Sequence, residues 1–116
     1  MSVSVEVVDS AFGRPAEGVP LTLLREVGAA WEPWASALTD DAGCVPVLET
    51  ASARGRYRLA LDLDKYFPAL GVEPFQSRVE ITFRVFEPGE EVRLLAILTP
   101  SSSFVSRMVT GRQTFR

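Results

Sequence analysis

Any chemistry this chain performs has to be done without histidine. None of its 116 residues is one, which removes the commonest general base and the commonest metal ligand. Catalysis would fall to Glu, Asp, Arg, Cys, Tyr, Ser or water. Such groups meet a regular pattern in Glu91–Val109, EVRLLAILTPSSSFVSRMV, which reads as two strands joined by a Pro-Ser turn. Side chains alternate across a pleated strand. Leu94, Ala96 and Leu98 therefore share a wholly apolar face suited to a sandwich core. Arg93, Leu95, Ile97 and Thr99 share the other, which opens on a charge. After Pro100, Phe104, Ser106 and Met108 lie on one face, and Val105, Arg107 and Val109 on the opposite one. A sheet with two partly apolar faces usually buries the second against another subunit. Function is expected on that mixed face.

The remaining reactive candidates are few. Cys44 is the single cysteine, so no intrachain disulfide forms and no cysteine-based zinc site is expected. It reads as a small apolar residue near a turn. A reactive thiol there would need a neighbouring base or positive charge. Asp40-Asp41-Ala42-Gly43 is turn chemistry and lacks calcium-loop spacing. No metal and no cofactor are expected.

The elements that must position these groups are short strands. In Ser2–Val8, Val3, Val5 and Val7 face one way and Ser2, Ser4, Glu6 and Val8 the other, with Glu6 in mid-strand. Asp9–Gly18 reads as loop, and Val19–Val27 as a strand entered through Pro20. Gly28–Pro33 reads as a connection into a strand from Trp34 to Thr39, with the two tryptophans packing in loop and core. Cys44–Leu48, interrupted by Pro46, belongs on an edge. Arg56–Asp62 and Arg78–Phe86 alternate as strands. Asp64–Gly71, DKYFPALG, reads as a two-turn helix with Asp64 as N-cap, Gly71 as stop and Pro68 limiting its length. Thr110–Arg116 reads as a loose tail. About eight strands and one short helix predict an all-β sandwich.

Composition agrees with a single domain over residues 1–116. Hydrophobic residues make up 47% and charged residues 23%, with a net charge of -3. The mild acidity leaves no footprint for nucleic acid. Lys65 is the only lysine. The start, MSVSVEVVD, has no basic region ahead of an apolar run, and no apolar run reaches membrane-spanning length. A cytoplasmic protein with no membrane partner is expected.

Four segments in order, VEVVDSAFGRPAEGV, WEPWASALTDDAGCV, YRLALDLDKYFPALGVEPF and RLLAILTPSSSF, resemble the transthyretin and hydroxyisourate hydrolase superfamily over nearly the whole chain. WEPWAS is especially similar to transthyretin. The resemblance implies a transthyretin-like sandwich of two four-stranded sheets. It also implies dimers formed by edge-strand pairing, and a homotetramer whose central channel is lined by one sheet face. In the hydrolase branch the channel ends hold the active site. A first-strand histidine there matches Glu6, an arginine after the Asp-Gly turn matches Cys44, and a histidine opening the strand before the Ser-Pro turn matches Arg93. The C-terminal Tyr-Arg-Gly-Ser matches Ser106, Arg107, Met108 and Val109, so only Arg107 is kept. With both histidines replaced, hydroxyisourate hydrolysis by the family's route is not expected.

On this resemblance Glu6, Arg93, Cys44 and Ser106 surround the channel mouth, with Arg107 in support. Val8, Leu95, Ile97, Phe104 and Met108 line the deeper channel. Glu6 and Arg93, on neighbouring strands, could pair as a structural ion pair or act on a ligand. Two functions stay open. One is an enzyme acting on a small cyclic metabolite by hydrolysis, cyclisation or proton transfer, with Glu6 as acid or base and Arg93 holding an anionic or carbonyl group. The other is a non-catalytic carrier or interaction module whose channel is only an interface. Hydroxyisourate hydrolysis through a different base is the weaker third.

Overall fold

The computed structural model describes residues 3–49 and 53–108. Val109 and the predicted tail at 110–116 lie outside them. Among the described residues nine strands form: β1 (Val3–Asp9), β2 (Arg14–Pro15), β3 (Pro20–Val27), β4 (Ala30–Leu38), β5 (Cys44–Glu49), β6 (Gly55–Asp62), β7 (Arg78–Val85), β8 (Val92–Leu98) and β9 (Ser103–Met108). One sheet runs β2-β1-β8-β9 with β5 also on β1, and the other runs β4-β3-β6-β7. β5 and β2 take successive stretches of the same edge of β1, at Val3–Glu6 and Val8–Asp9. The first sheet is thus four positions wide, like the second, and the expected sandwich is what the chain forms.

Period-2 patterning explains the core. Val3, Val5 and Val7 of β1 and Leu94, Ala96 and Leu98 of β8 are buried against Leu21, Leu23, Tyr57, Leu59 and Leu61 of the second sheet. Each fully buried Leu or Val contributes roughly 1.5–3 kcal/mol relative to exposure. A one-residue slip of β1 would exchange this valine face for Ser4, Glu6 and Val8, burying an unpaired carboxylate. Register is therefore fixed by the same residues that carry the site.

Four local expectations are corrected. The Asp9–Gly18 loop contains β2, which closes a small hairpin on β1. Gly28–Pro33 is mostly strand: β3 and β4 form a tight hairpin across Gly28-Ala29, with Gly28 at φ +61°. Trp31 and Trp34 consequently lie on an edge strand, outside loop and core. Arg58 sits over the Trp31 ring at 4.2 Å and Arg25 over the Trp34 ring at 5.0 Å, as cation–π contacts. Finally, Asp64–Gly71 is not a two-turn helix but a run of turns ending in one 3-10 turn, Pro68–Leu70, without a side-chain cap. Pro68 has no amide hydrogen to continue a helical ladder. Buried Leu63, Tyr66 and Phe67 hold the segment instead, and Gly71 stops it at φ +78°.

Candidate functional site

With its valines turned inward, β1 presents Ser4, Glu6 and Val8 on the outer face of the first sheet, all partly exposed. β8 runs parallel beside it, pairing Ser4 with Arg93, Glu6 with Leu95 and Val8 with Ile97. β9 adds Met108 opposite Arg93, Ser106 opposite Leu95 and Phe104 opposite Ile97. On the far side of β1, Cys44 pairs directly with Glu6. Directly paired residues project to the same face. The face therefore has three rows: Ser4-Arg93-Met108, Cys44-Glu6-Leu95-Ser106, and Val8-Ile97-Phe104. A recess of about 320 Å³ opens at one end, lined by Ser4, Glu6, Cys44, Glu91, Arg93 and Met108 among others.

A turn sets Cys44 opposite Glu6. Asp40 Oδ1 accepts the Ala42 and Cys44 amides at 2.9 and 2.8 Å, and the Asp40 amide donates to the Cys44 carbonyl. The Val7 amide donates to the Gly43 carbonyl at 2.7 Å, tying the turn to β1. Burial pushes the Cys44 thiol above its usual range, and the Glu6 and Asp40 carboxylates push it the same way. A nucleophilic cysteine needs the opposite shift. The thiol is a pocket wall and a weak donor, directed to the Ala42 carbonyl at 3.5 Å.

The ion pairs among the described residues are Glu26–Arg56, Arg78–Glu80 and Glu90–Arg107. Glu6–Arg93 is not one of them; Arg93 pairs across to Ser4, one row from Glu6. Both charges face the recess, and among the described residues neither has a salt-bridge partner. Arg107 does not join them. It lies on the opposite face, where it contacts Glu90 at 2.9 Å and donates to the Glu91 carbonyl at 2.8 Å. Glu90 in turn accepts the Phe86 and Glu87 amides, and these bonds, chiefly that from Glu87, hold its carboxyl below the usual range, helped by Arg107. Arg107 thus braces the turn that delivers Glu91 and β8. Of the predicted site residues, Glu6, Arg93, Cys44 and Met108 meet at the recess. Ser106, Val8, Leu95, Ile97 and Phe104 share its face further along. Glu91 was missed, although it is two residues before Arg93 on the same side of the alternation.

β1 ends in a second polar cluster. Asp9 is fully buried; its Oδ1 accepts the Ala11 and Phe12 amides, both at 2.9 Å, and its Oδ2 accepts the Tyr66 hydroxyl at 2.6 Å. Burial, reinforced by Asp9, pushes the Tyr66 hydroxyl up to about 12. This cluster joins the β1–β2 hairpin to the 63–71 turns and exposes no reactive atom. Larger recesses lie on the outer face of the second sheet and beside Pro68–Pro74. The first is lined by mostly exposed charges such as Asp64, Lys65 and Arg78, and neither shares the face where β1, β5, β8 and β9 converge. Among the described residues no three His, Cys, Asp or Glu side chains group closely enough to hold a metal ion. No described helix is long and apolar enough to cross a membrane.

The model of the HIUase/Transthyretin family matches residues 3–104. Among solved structures, the 5-hydroxyisourate hydrolase of Klebsiella pneumoniae is similar at a TM-score of 0.82 and 28% identity, over 94% of this chain and 100% of that one.

Proposed function

The chain belongs to the HIUase/Transthyretin family, and from that premise we propose that it binds or converts a small cyclic organic metabolite on the outer face of its first sheet. In this reading a second copy of the chain covers the face, within a homotetramer, and the recess becomes an enclosed site. The observation that carries it is the convergence of Glu6, Cys44 and Arg93 around one recess, with neither Glu6 nor Arg93 in a salt bridge among the described residues. Glu6 takes a proton from the substrate or from an attacking water and returns it to the product. Arg93 holds a carbonyl or carboxylate oxygen and stabilises negative charge developing there. Cys44 and Met108 shape the wall. The reactions open to such a pair are hydrolysis, cyclisation and proton transfer. Hydrolysis of 5-hydroxyisourate is disfavoured by the lack of histidine.

One observation favours a carrier or interaction module instead. Phe104 is 61% exposed, in one row with Ile97 and Val8. That row needs cover whether or not a ligand is turned over. Glu6→Gln and Arg93→Ala separate the two readings, scored for turnover of cyclic ureides and lactones, for ligand binding and for assembly mass. An enzyme loses about 10²–10⁴-fold in turnover with Glu6→Gln while its assembly stays intact. If assembly fails and ligand handling does not change, the face is only an interface.

A further inference from the structure

We infer that the recess takes an amphoteric ligand, one bearing a protonated amine or amidine together with a carboxylate, and that Glu91 selects for it. This rests on the reading of the recess as a ligand site. Three charged side chains line it: Glu6 from β1, Glu91 from just before β8, and Arg93 from within β8. The other contributors of the same face, Ser4, Cys44, Pro46 and Met108, bring no compensating cation. Arg107, the cation paired across from Leu94, lies on the reverse of the sheet and is engaged by Glu90 and the Glu91 carbonyl. The recess therefore carries two carboxylates to one guanidinium.

Glu91 and Arg93 are two residues apart on one face, about 7 Å along an extended backbone. No salt bridge joins Arg93 to either glutamate. A purely anionic ligand would satisfy Arg93 but bring its charge beside two carboxylates. A purely cationic one would leave Arg93 facing it. A ligand with both groups, spaced across a small ring, meets both signs at once. Glu91 is exposed and, among the described residues, its side chain makes no hydrogen bond or salt bridge; Arg107 uses its backbone carbonyl. Its carboxylate can therefore be neutralised without touching the fold.

The test uses three probes of one ring size: 4-amidinobenzoate, benzamidine and benzoate. Each is titrated into the wild type, Glu91→Gln and Arg93→Gln by calorimetry, with the Met108 methyl signal followed by NMR. 4-Amidinobenzoate is expected to bind about tenfold more tightly than either single-charge probe. Glu91→Gln should weaken 4-amidinobenzoate and benzamidine about tenfold and leave benzoate unchanged or tighter. Arg93→Gln should weaken 4-amidinobenzoate and benzoate but not benzamidine. If benzoate binds best and Glu91→Gln changes nothing, the charge selection is wrong while the ligand site stands. If no probe moves the Met108 signal, the ligand site itself is wrong, and this inference with it.

Discussion

Gly43→Ala is expected to destabilise the protein by about 3–5 kcal/mol and to lower its melting temperature by about 10–20 °C. Two costs add. Gly43 sits at φ +75°, where a side chain is strained by roughly 1–2 kcal/mol. An alanine Cβ would also fall on the Val7 carbonyl oxygen, with the Ala16 amide nitrogen at 3.0 Å and Pro15 Cβ at 3.2 Å. That oxygen cannot retreat freely, because it accepts the Ala16 amide at 3.0 Å while the Val7 amide donates to Gly43. Relief requires the 40–43 turn to lift from β1, which uncouples Cys44 from Glu6 and opens the recess. Gly18→Ala is the control: its φ is +80°, but nothing lies within 4 Å of the added Cβ, so only the backbone term of about 1–2 kcal/mol applies. Thermal denaturation followed by circular dichroism decides. Equal costs at the two glycines would refute the steric argument.

Asp9→Ala is expected to cost about 3–5 kcal/mol. It removes one buried acceptor set and strands three donors: the Ala11 and Phe12 amides and the Tyr66 hydroxyl. Asp9→Asn keeps an acceptor for the two amides and should cost clearly less, about 1–2 kcal/mol. The same cluster gives an alkaline signature. The Tyr66 hydroxyl is raised from 10.0 to about 12 in the folded protein, so the unfolded chain ionises first. Its contribution is fully present below pH 10 and is lost as pH rises from about 10 to 12. The loss across that window is of order 2 kcal/mol. Urea titrations at pH 9 and pH 11 measure it, and Tyr66→Phe should flatten the difference. An equally steep decline in Tyr66→Phe would mean that another group is responsible.

Much of the site could be read from alternation alone, because burial on one face of a strand writes itself as period 2. The inward valines of β1 and the Leu94-Ala96-Leu98 face of β8 fix which way Glu6 and Arg93 point. Alternation also put Arg107 on the reverse face; only the resemblance placed it in the site, and the structure follows the pleat. Row-by-row pairing could not be read, since it depends on which strands neighbour one another. The parallel β1–β8 register sets Arg93 against Ser4 and Glu6 against Leu95. Glu91 was legible by its spacing from Arg93, but it resembled one more charge in the Glu87–Glu91 turn. The tryptophans were misplaced because this Pro33-containing edge strand is largely exposed, and its apolar residues fall on both faces with little hydrophobic period. A register shift opposite Leu23/Leu24 of β3, which leaves Trp34 without a partner in the β3–β4 pairing, interrupts what period there is. The 63–71 segment misled because its Gly71 stop is real while its apparent start, Asp64, caps nothing, and Pro68 and the burial of Tyr66 and Phe67 decide the conformation between them.

The central claim is that the outer face of the β2-β1-β8-β9 sheet is covered by other copies of the chain and that the recess works inside that contact. Multi-angle light scattering on the purified chain tests it most directly. A particle of four chains of 12.7 kDa each is expected. A single chain at all concentrations, with Glu6, Glu91 and Arg93 open to bulk water, contradicts it.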